Sequence, residues 1–154
     1  MQKSLKPENN SKLKIRLAQL KDLKFTFQLH NKNVLKKNFF SKKKTSFKEH
    51  KKWFKDKLSK KMLFICSNRV RIGYIRYDTL KRNNLSISIA VKENCKRSGF
   101  GKFMLQKTLK YKKIAKQNVY AFVKNDNISS KKFFLDSGFK KTKASTYILK
   151  SKRK

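Results

Sequence analysis

Apolar and polar residues alternate in short segments along this chain, and each such segment predicts a β-strand with one buried face. The clearest runs from Leu85 to Val91, where leucine, isoleucine and valine take every second position. Other segments predict strands over 13–17, 62–66, 70–77 and 119–123, with a last strand pair after Phe139 and over 146–149. Only three residues separate 62–66 from 70–77, so we expect these two strands to form a hairpin.

Helical spacing of apolar residues predicts four helices between these strands. They are predicted after Asp22, after a capping box of Ser46 and Glu49, from about Phe100 to Lys113, and from Asn127 to Gly138. The predicted order is therefore β-α-α-β-β-β-α-β-α-β, with one further strand at the end. This order, without an internal repeat or linker, predicts a single α+β domain.

The length of 154 residues suits one domain with a buried core. We expect a flexible basic arm at 1–11, one domain at 12–150 and a basic tail at 151–154. No apolar run approaches the roughly 20 residues that span a bilayer, and the first residues lack the apolar stretch of a secretory signal. The two cysteines, Cys66 and Cys95, have neither metal-site nor disulfide spacing. We expect a cytoplasmic monomer or homodimer with reduced thiols and no metal.

The charge balance is extreme, because 44 Lys and Arg against 8 Asp and Glu give a net charge of +36. One explanation is an anionic partner, which would be nucleic acid, a membrane surface or a phosphate-bearing small molecule. The other is compositional, since lysine far exceeds arginine and the lysines are scattered along every predicted element. Either way, the charge predicts some non-specific affinity for nucleic acid.

The segment Lys96-Arg97-Ser98-Gly99-Phe100-Gly101-Lys102 joins the strand at 85–91 to a predicted helix. The first N–H groups of a helix lack internal partners and carry its positive dipole end, so such a turn suits a pyrophosphate. The side chains of Lys96, Arg97 and Lys102 add positive charge. The competing interpretation is an ordinary glycine turn in which Gly101 eases helix packing.

With the predicted strand order, this turn resembles the Gln/Arg-x-x-Gly-x-Gly/Ala motif of the GNAT superfamily of N-acetyltransferases, with Lys96, Gly99 and Gly101 at its defined positions. A second segment resembles that family's Asn-x-x-Ser/Ala…Gly-Phe pattern; it reads Asn127-x-x-Ser130-x-x-Phe133-Phe134-x-x-x-Gly138-Phe139. The resemblance covers about residues 13–150. It implies a GNAT-like fold, with a mixed, mostly antiparallel sheet of six or seven strands, about four helices, and splayed fourth and fifth strands.

The resemblance also implies acetyl-CoA as co-substrate. The main chain of the fourth strand would pair with the pantetheine arm, the glycine turn would bind the pyrophosphate, and the second motif would contact the pantetheine arm and line the acetyl end. The implied contacts are Ile89, Ala90, Val91, Lys96, Arg97, Ser98, Gly99, Phe100, Gly101, Lys102, Asn127, Ser130, Phe133 and Phe134. The competing roles are a helix N-cap for Asn127 and core packing for the two phenylalanines.

Acetyl transfer to an amine needs an oxyanion donor and a proton for the departing thiolate. In this family a main-chain N–H of the fourth strand is the implied oxyanion donor. A tyrosine often protonates the thiolate from the position of Phe134, and a glutamate often lies at about the position of Ser86. This chain has neither, so Ser88, Tyr120, Tyr147 or a water relay remain as alternatives.

Three further segments resemble the nucleotide-sugar amine N-acetyltransferases, including the pseudaminic acid biosynthesis enzyme. They are Leu29-His30-Asn31, where that group shows Trp-Arg-Asn, then Thr45-x-x-x-Glu49-His50-x-x-Trp53-Phe54, and Ile72-Gly73-Tyr74-Ile75-Arg76-Tyr77. The resemblance implies a phosphate-bearing amino-sugar acceptor. Candidate acceptor contacts are His30, Asn31, Lys36, His50, Trp53, Arg76 and Tyr77.

Two other functions remain as alternatives: acetylation of ribosomal or other proteins, and a catalytically silent RNA-binding module on the same fold. No sequence motif predicts an exposed aromatic platform on the sheet, which disfavours the RNA-binding alternative. A polyamine acceptor is disfavoured because the chain has only 8 acidic residues to bind it.

Overall fold

The computed structural model describes residues 12–35 and 43–152, in which seven strands form one sheet in the order β1-β2-β3-β4-β5-β7-β6. The strands are β1 (Lys14–Leu17), β2 (Leu63–Asn68), β3 (Val70–Thr79), β4 (Asn84–Val91), β5 (Asn118–Phe122), β6 (Lys140–Lys143) and β7 (Thr146–Leu149). The helices are α1 (Leu23–Leu35), α2 (Phe47–Lys60), α3 (Phe100–Thr108), α4 (Lys112–Ala115) and α5 (Ile128–Asp136). The element order confirms the predicted α+β fold, apart from one additional short helix.

Every neighbouring pair of strands is antiparallel except β4 and β5, which are parallel. The hairpin of β2 and β3 is as predicted, with Arg69 alone at its turn in the left-handed region (φ 61°). The sheet is therefore mixed and mostly antiparallel, and its one parallel pair lies near its middle.

The two faces of the sheet are covered by different helices. Ile75, Ile87 and Val119 point to the face covered by α3, α4 and α5, and they belong to the larger hydrophobic core. Tyr74 and Ala90 point to the opposite face, where they pack beneath α1 and α2 with Phe54. Because side chains alternate along a strand, these residues assign faces along β4, β5 and β3 from Gly73 onward. Ile72 lies next to an irregularity in the β2–β3 pairing and belongs to the larger core.

The start of α2 is the capping box that the sequence predicts. The Ser46 hydroxyl accepts from the Glu49 N–H (3.2 Å), and the Glu49 carboxylate accepts from the Ser46 N–H (3.1 Å). Each interaction satisfies an N–H that the first helical turn leaves without a partner.

The prediction of one helix from Phe100 to Lys113 is wrong in its second half. The α3 helix ends at Thr108, and α4 begins at Lys112 after Tyr111, whose backbone is extended (ψ 131°). The Tyr111 ring packs edge-on against Phe64 of β2, with ring centroids 5.1 Å apart. This tertiary contact stabilises the break, which the local periodicity does not show.

Within 12–35 and 43–152, none of the helices has the length and apolar character needed to span a membrane. The arm predicted at 1–11 lies outside the described residues.

Candidate active site

The parallel strands β4 and β5 separate along their length. They pair at three positions only, and the last of these joins Ser86 to Tyr120. Beyond it, β4 continues to Val91, still paired with β3, while β5 continues to Phe122 paired with β7. An opening therefore forms between the carboxyl ends of β4 and β5, as the resemblance implied.

The main chain of β4 faces this opening at every second residue. In the β3–β4 ladder, the Leu80 N–H donates to the Asn84 carbonyl (2.7 Å) and the Lys92 N–H to the Ile72 carbonyl (2.9 Å). Antiparallel pairs alternate, so even-numbered β4 residues direct their main-chain groups to β3. Of the three predicted contacts, Ile89 and Val91 thus present N–H and C=O groups to the opening, whereas the main chain of Ala90 faces β3.

The glycine turn presents a continuous set of free amides near the end of β4. Arg97 (φ 59°) and Gly99 (φ 79°) are both left-handed, and the first helical bond of α3 runs from the Phe103 N–H to the Gly99 carbonyl (3.0 Å). Within the described residues, no main-chain N–H from 97 to 102 donates to a protein acceptor. Such a concave run of amides at a helix N-terminus is a typical anion site.

The positive side chains near this turn are not equivalent. The Lys96 ammonium forms an ion pair with Glu93 (3.0 Å), so part of the charge expected there is neutralised. Arg97 and Lys102 are exposed, and neither forms an ion pair with a described residue. These two side chains therefore remain to attract an anionic ligand.

The two sequence motifs meet in space. A Cβ added to Gly101 would lie 3.3 Å from the Phe133 ring, so the first turn of α3 packs closely against α5. This contact shows that Gly101 does ease helix packing, alongside any role in binding. Phe134 is buried against Phe139, with ring centroids 5.0 Å apart, and belongs to the larger core.

Asn127 is the N-cap of α5. Its side-chain oxygen accepts from the Ser130 N–H (3.1 Å), which is the structural role that competed with ligand binding. Among the described residues, its amide nitrogen has no protein acceptor. Both roles are therefore compatible in this geometry.

The three candidate proton donors lie on different faces of the sheet. Ser88, which pairs with Arg76, and Tyr120, which pairs with Ser86, lie on the face shared with α1 and α2. Tyr147 is buried (2% exposed) in the core beneath α3 and α5. Only Ser88 and Tyr120 are therefore brought together beside the opening.

With this geometry established, the family model of the acetyltransferase (GNAT) family matches residues 27–139. The chain belongs to the GNAT family. As a GNAT member, it is an acyltransferase. Among curated protein sequences, none matches the chain.

Solved structures show the same fold across nearly the whole GNAT chain. The Salmonella typhimurium protein yncA, determined with acetyl-CoA, is 16% identical with a TM-score of 0.79, over 94% of this chain and 96% of its own. A ribosomal-protein-alanine N-acetyltransferase from Brucella melitensis is 16% identical with a TM-score of 0.75, over 88% and 96%. A spermidine N-acetyltransferase from Vibrio cholerae, with CoA and spermine, is 17% identical with a TM-score of 0.74, over 90% and 93%. These likenesses show the fold alone.

Several acceptor candidates of this GNAT protein have structural roles instead. His50 is buried, and its Nε2 shares a hydrogen bond with the Thr26 hydroxyl (2.9 Å), which also lies 3.0 Å from the Leu23 carbonyl. Burial, followed by the nearby His30 and Arg76, lowers the pKa of His50 to about 4, so it is neutral at pH 7. The Asn31 amide makes two hydrogen bonds to the main chain of Thr45, both 3.1 Å.

The prediction that Tyr77 contacts the acceptor is wrong. Tyr77 is fully buried on the α3 side of the sheet, and its hydroxyl shares a hydrogen bond with the Thr108 hydroxyl (2.7 Å), which lies 2.8 Å from the Met104 carbonyl. Burial raises the pKa of Tyr77, and the side chain is not accessible to an acceptor. Lys36 lies outside the described residues.

The remaining candidates form one polar group on the α1/α2 face. The Arg76 guanidinium lies over the Trp53 ring (5.3 Å to its centroid) and donates to Asp78 (2.6 Å). His30 is half-buried near the Thr45 hydroxyl (3.4 Å), and burial, then the charge of Arg76, lowers its pKa.

Within 12–35 and 43–152, no group of three or more His, Cys, Asp or Glu could hold a metal ion.

Sequence reasoning missed Phe122, an exposed ring beside Tyr120 on β5. The two ring planes are 16° from parallel, with centroids 6.5 Å apart. The alternation of β5 predicts that Phe122 points away from the core, but not that its ring is exposed. Phe122 is thus an exposed ring on the sheet that no sequence motif indicated.

Proposed function

We propose that this GNAT protein transfers the acetyl group of acetyl-CoA to the primary amine of a nucleotide-linked amino sugar. The observation that supports the co-substrate is the run of free amides from Arg97 to Lys102 beside the opening between β4 and β5. The yncA structure, which has the same fold, contains acetyl-CoA. The residues present thus fit this co-substrate.

Acetyl-CoA supplies an activated acetyl thioester when bound. The amides of the glycine turn hold its diphosphate, and the main-chain groups of Ile89 and Val91 pair with its amide-rich arm in place of the β5 partners that they lack. The Asn127 amide nitrogen donates to the same arm. Together these contacts would hold the thioester in the opening between the strands, whose pairing ends at Ser86 and Tyr120.

Tyr120 is the proposed proton donor to the departing thiolate. Unlike Phe134, it carries a hydroxyl, and it lies at the last β4–β5 pair on the open face of the sheet. Ser88 lies on the same face, two residues after Ser86 along β4, and its hydroxyl can form a hydrogen bond with the incoming amine. We assign Ser88 to positioning the amine and Tyr120 to moving the proton.

The charges on the α1/α2 face, where the candidate acceptor contacts lie, support a phosphate-bearing acceptor over a cationic one. Asp78 is the only carboxylate in any described strand, and it is already bound by Lys57 and Arg76. A polyamine would need unpaired carboxylates here, whereas a phosphate would meet an excess of cations.

The function is tested by incubating the protein with acetyl-CoA and a panel of UDP-linked amino sugars, polyamines and N-terminal peptides. We expect acetyl transfer to the amino sugars. Transfer to peptides alone would support a protein acetyltransferase instead. Salt-sensitive RNA binding without acetyl-CoA binding would indicate the non-catalytic alternative.

Replacing Tyr120 with phenylalanine is expected to lower kcat about 100-fold or more, because general acid catalysis contributes at least that factor. The KM for acetyl-CoA should change little. Tyr111→Phe is the matched control, because it also removes one hydroxyl but lies between α3 and α4. Equal kcat values for both variants would exclude Tyr120 as the proton donor.

A further inference from the structure

Beyond β4, this face of the sheet carries two aromatic rings, those of Tyr120 and Phe122, that lie outside the apolar cluster beneath the described helices α1 and α2. α1 packs against β3 and β4, and the apolar cluster beneath α1 and α2 contains no residue of β5. Phe122 is 48% exposed there, whereas its neighbour Ala121 is buried. A single exposed ring is ordinary on a protein surface, so the residues around it decide whether it marks a binding surface.

The rings lie in a groove with a basic rim, which we call the β5 groove. Its volume is about 540 Å³, within the range of small-molecule sites, and it is lined by Lys81, Asn84, Tyr120, Phe122, Lys143 and Thr146, among others. No carboxylate lines it. Parallel aromatic faces bind flat rings by stacking, and lysines bind phosphates, so this groove combines the two features that recognise a nucleotide.

The groove is also held in shape and lies next to the opening. The Asn84 amide donates to the Lys81 carbonyl (3.1 Å) and accepts from the Asn118 amide (3.1 Å), which ties the β3–β4 turn to β5. Tyr120 belongs both to the groove and to the last β4–β5 pair. A ligand in this groove is therefore within reach of the point where the strands separate.

We infer that the β5 groove binds the nucleoside diphosphate part of the acceptor, with its base against Tyr120 and Phe122 and its phosphates between Lys81 and Lys143. This inference rests on the proposed function and names the part of the acceptor that is recognised. A nucleoside diphosphate needs one stacking surface with cations beside it, which this groove has, whereas a nucleic acid strand needs an extended basic track.

Isothermal titration calorimetry with UDP, in the presence of saturating CoA, tests this inference. We expect Phe122→Ala to weaken UDP binding roughly 5- to 100-fold, the range for loss of one stacked base, and Phe122→Trp to retain it. Phe122→Leu keeps apolar area without a flat face and should behave like Phe122→Ala. Leu135→Ala is the matched control, because Leu135 is 50% exposed on α5, away from the groove.

The lysines are tested separately. Lys143→Ala should weaken the binding of UDP but not of uridine, whereas Lys116→Ala, in a basic pocket with Lys60 and Lys113, should affect neither. In steady-state kinetics, Phe122→Ala should raise the KM for the amino-sugar acceptor and leave the KM for acetyl-CoA unchanged. An unchanged melting temperature would show that the variant is folded.

Some outcomes separate this inference from the proposed function. If UDP binding depends on Phe122 but nucleotide-linked amino sugars are not acetylated, the proposed function is wrong and the assignment of the β5 groove as a nucleotide site is supported. If those sugars are acetylated and Phe122→Ala changes neither UDP binding nor the acceptor KM, the groove assignment is wrong. It is also wrong if saturating CoA abolishes UDP binding, or if only a single-stranded RNA oligonucleotide depends on Phe122.

Discussion

Replacing Lys102 with proline is expected to weaken acetyl-CoA binding roughly 10- to 100-fold. Proline lacks the N–H, and the Lys102 N–H donates to no described protein group, so the variant loses a bond to the ligand without losing one in the fold. Hydrogen bonds to charged groups contribute about 1.5–3 kcal/mol, which gives this range. Lys102 lies in the first turn of α3, where proline is tolerated, and Gly101 before it has no Cβ to clash.

The matched control is Lys102→Ala, which removes the exposed ammonium and keeps the amide. It should weaken binding only a few-fold, and this loss should disappear at high salt because exposed charges are screened. The dissociation constants are measured by calorimetry, with circular dichroism to confirm folding. If the two variants bind acetyl-CoA equally, the amides of this turn do not hold its diphosphate.

Replacing Asp22 with asparagine is expected to lower the free energy of unfolding by about 3 kcal/mol, because the Arg16 and Arg71 guanidinium groups would lose the charge of the fully buried carboxylate that they share. Asp22 accepts from Arg16 (2.7 and 2.9 Å) and Arg71 (2.7 Å) and from the Gln19 N–H (2.8 Å). It therefore joins β1 and β3 to the turn before α1. Urea unfolding at pH 7 measures the change.

The same carboxylate predicts a pH dependence. Burial alone would raise the pKa of Asp22, but the bonds from Arg16, Gln19 and Arg71 outweigh it and lower the pKa to about 2, below the unfolded value of 3.8. A lowered pKa stabilises the folded protein above the unfolded pKa, and this contribution is lost as the pH falls towards 2. From the two pKa values it amounts to about 2 kcal/mol.

The difference in unfolding free energy between wild type and Asp22→Asn should thus shrink between pH 5 and pH 2. Asp136→Asn is the control, because Asp136 pairs with Lys132 at the surface, where both side chains are mostly exposed. It should change the stability by less than about 1 kcal/mol. A difference for Asp22→Asn that does not vary with pH would show that its ion pairs do not supply the stability.

Local signals in the sequence predicted the parts of the fold that depend on neighbouring residues. The capping box of Ser46 and Glu49 requires only a helical turn, and it forms as predicted. The alternation from Leu85 to Val91 predicted a half-buried strand, which is β4. Asn127 caps α5 because a side chain three residues before the Ser130 N–H reaches it without help from elsewhere.

Contacts between distant segments decided what the local pattern did not show. The predicted long helix breaks where Tyr111 packs on Phe64, a contact between residues far apart in the chain. The alternation within β3 shows that Tyr77 and Arg76 point to opposite faces of the sheet. Only the packing of α3, which carries Thr108, shows that the face of Tyr77 is the buried one. For the same reason, only the pairing of the strands shows that Ser88 and Tyr120 lie on one face of the sheet and Tyr147 on the other.

The sequence by itself determined the order of the elements, the GNAT resemblance and the free amides of the glycine turn, because each is encoded by residues close together in the chain. The tertiary structure alone decided that β4 and β5 separate after Ser86 and Tyr120, and that Tyr120 and Phe122 line one groove with Lys81 and Lys143. Strand pairing and helix coverage are sums of long-range contacts. A pattern with a period of two residues shows that a strand has two faces, but not what lies against either of them.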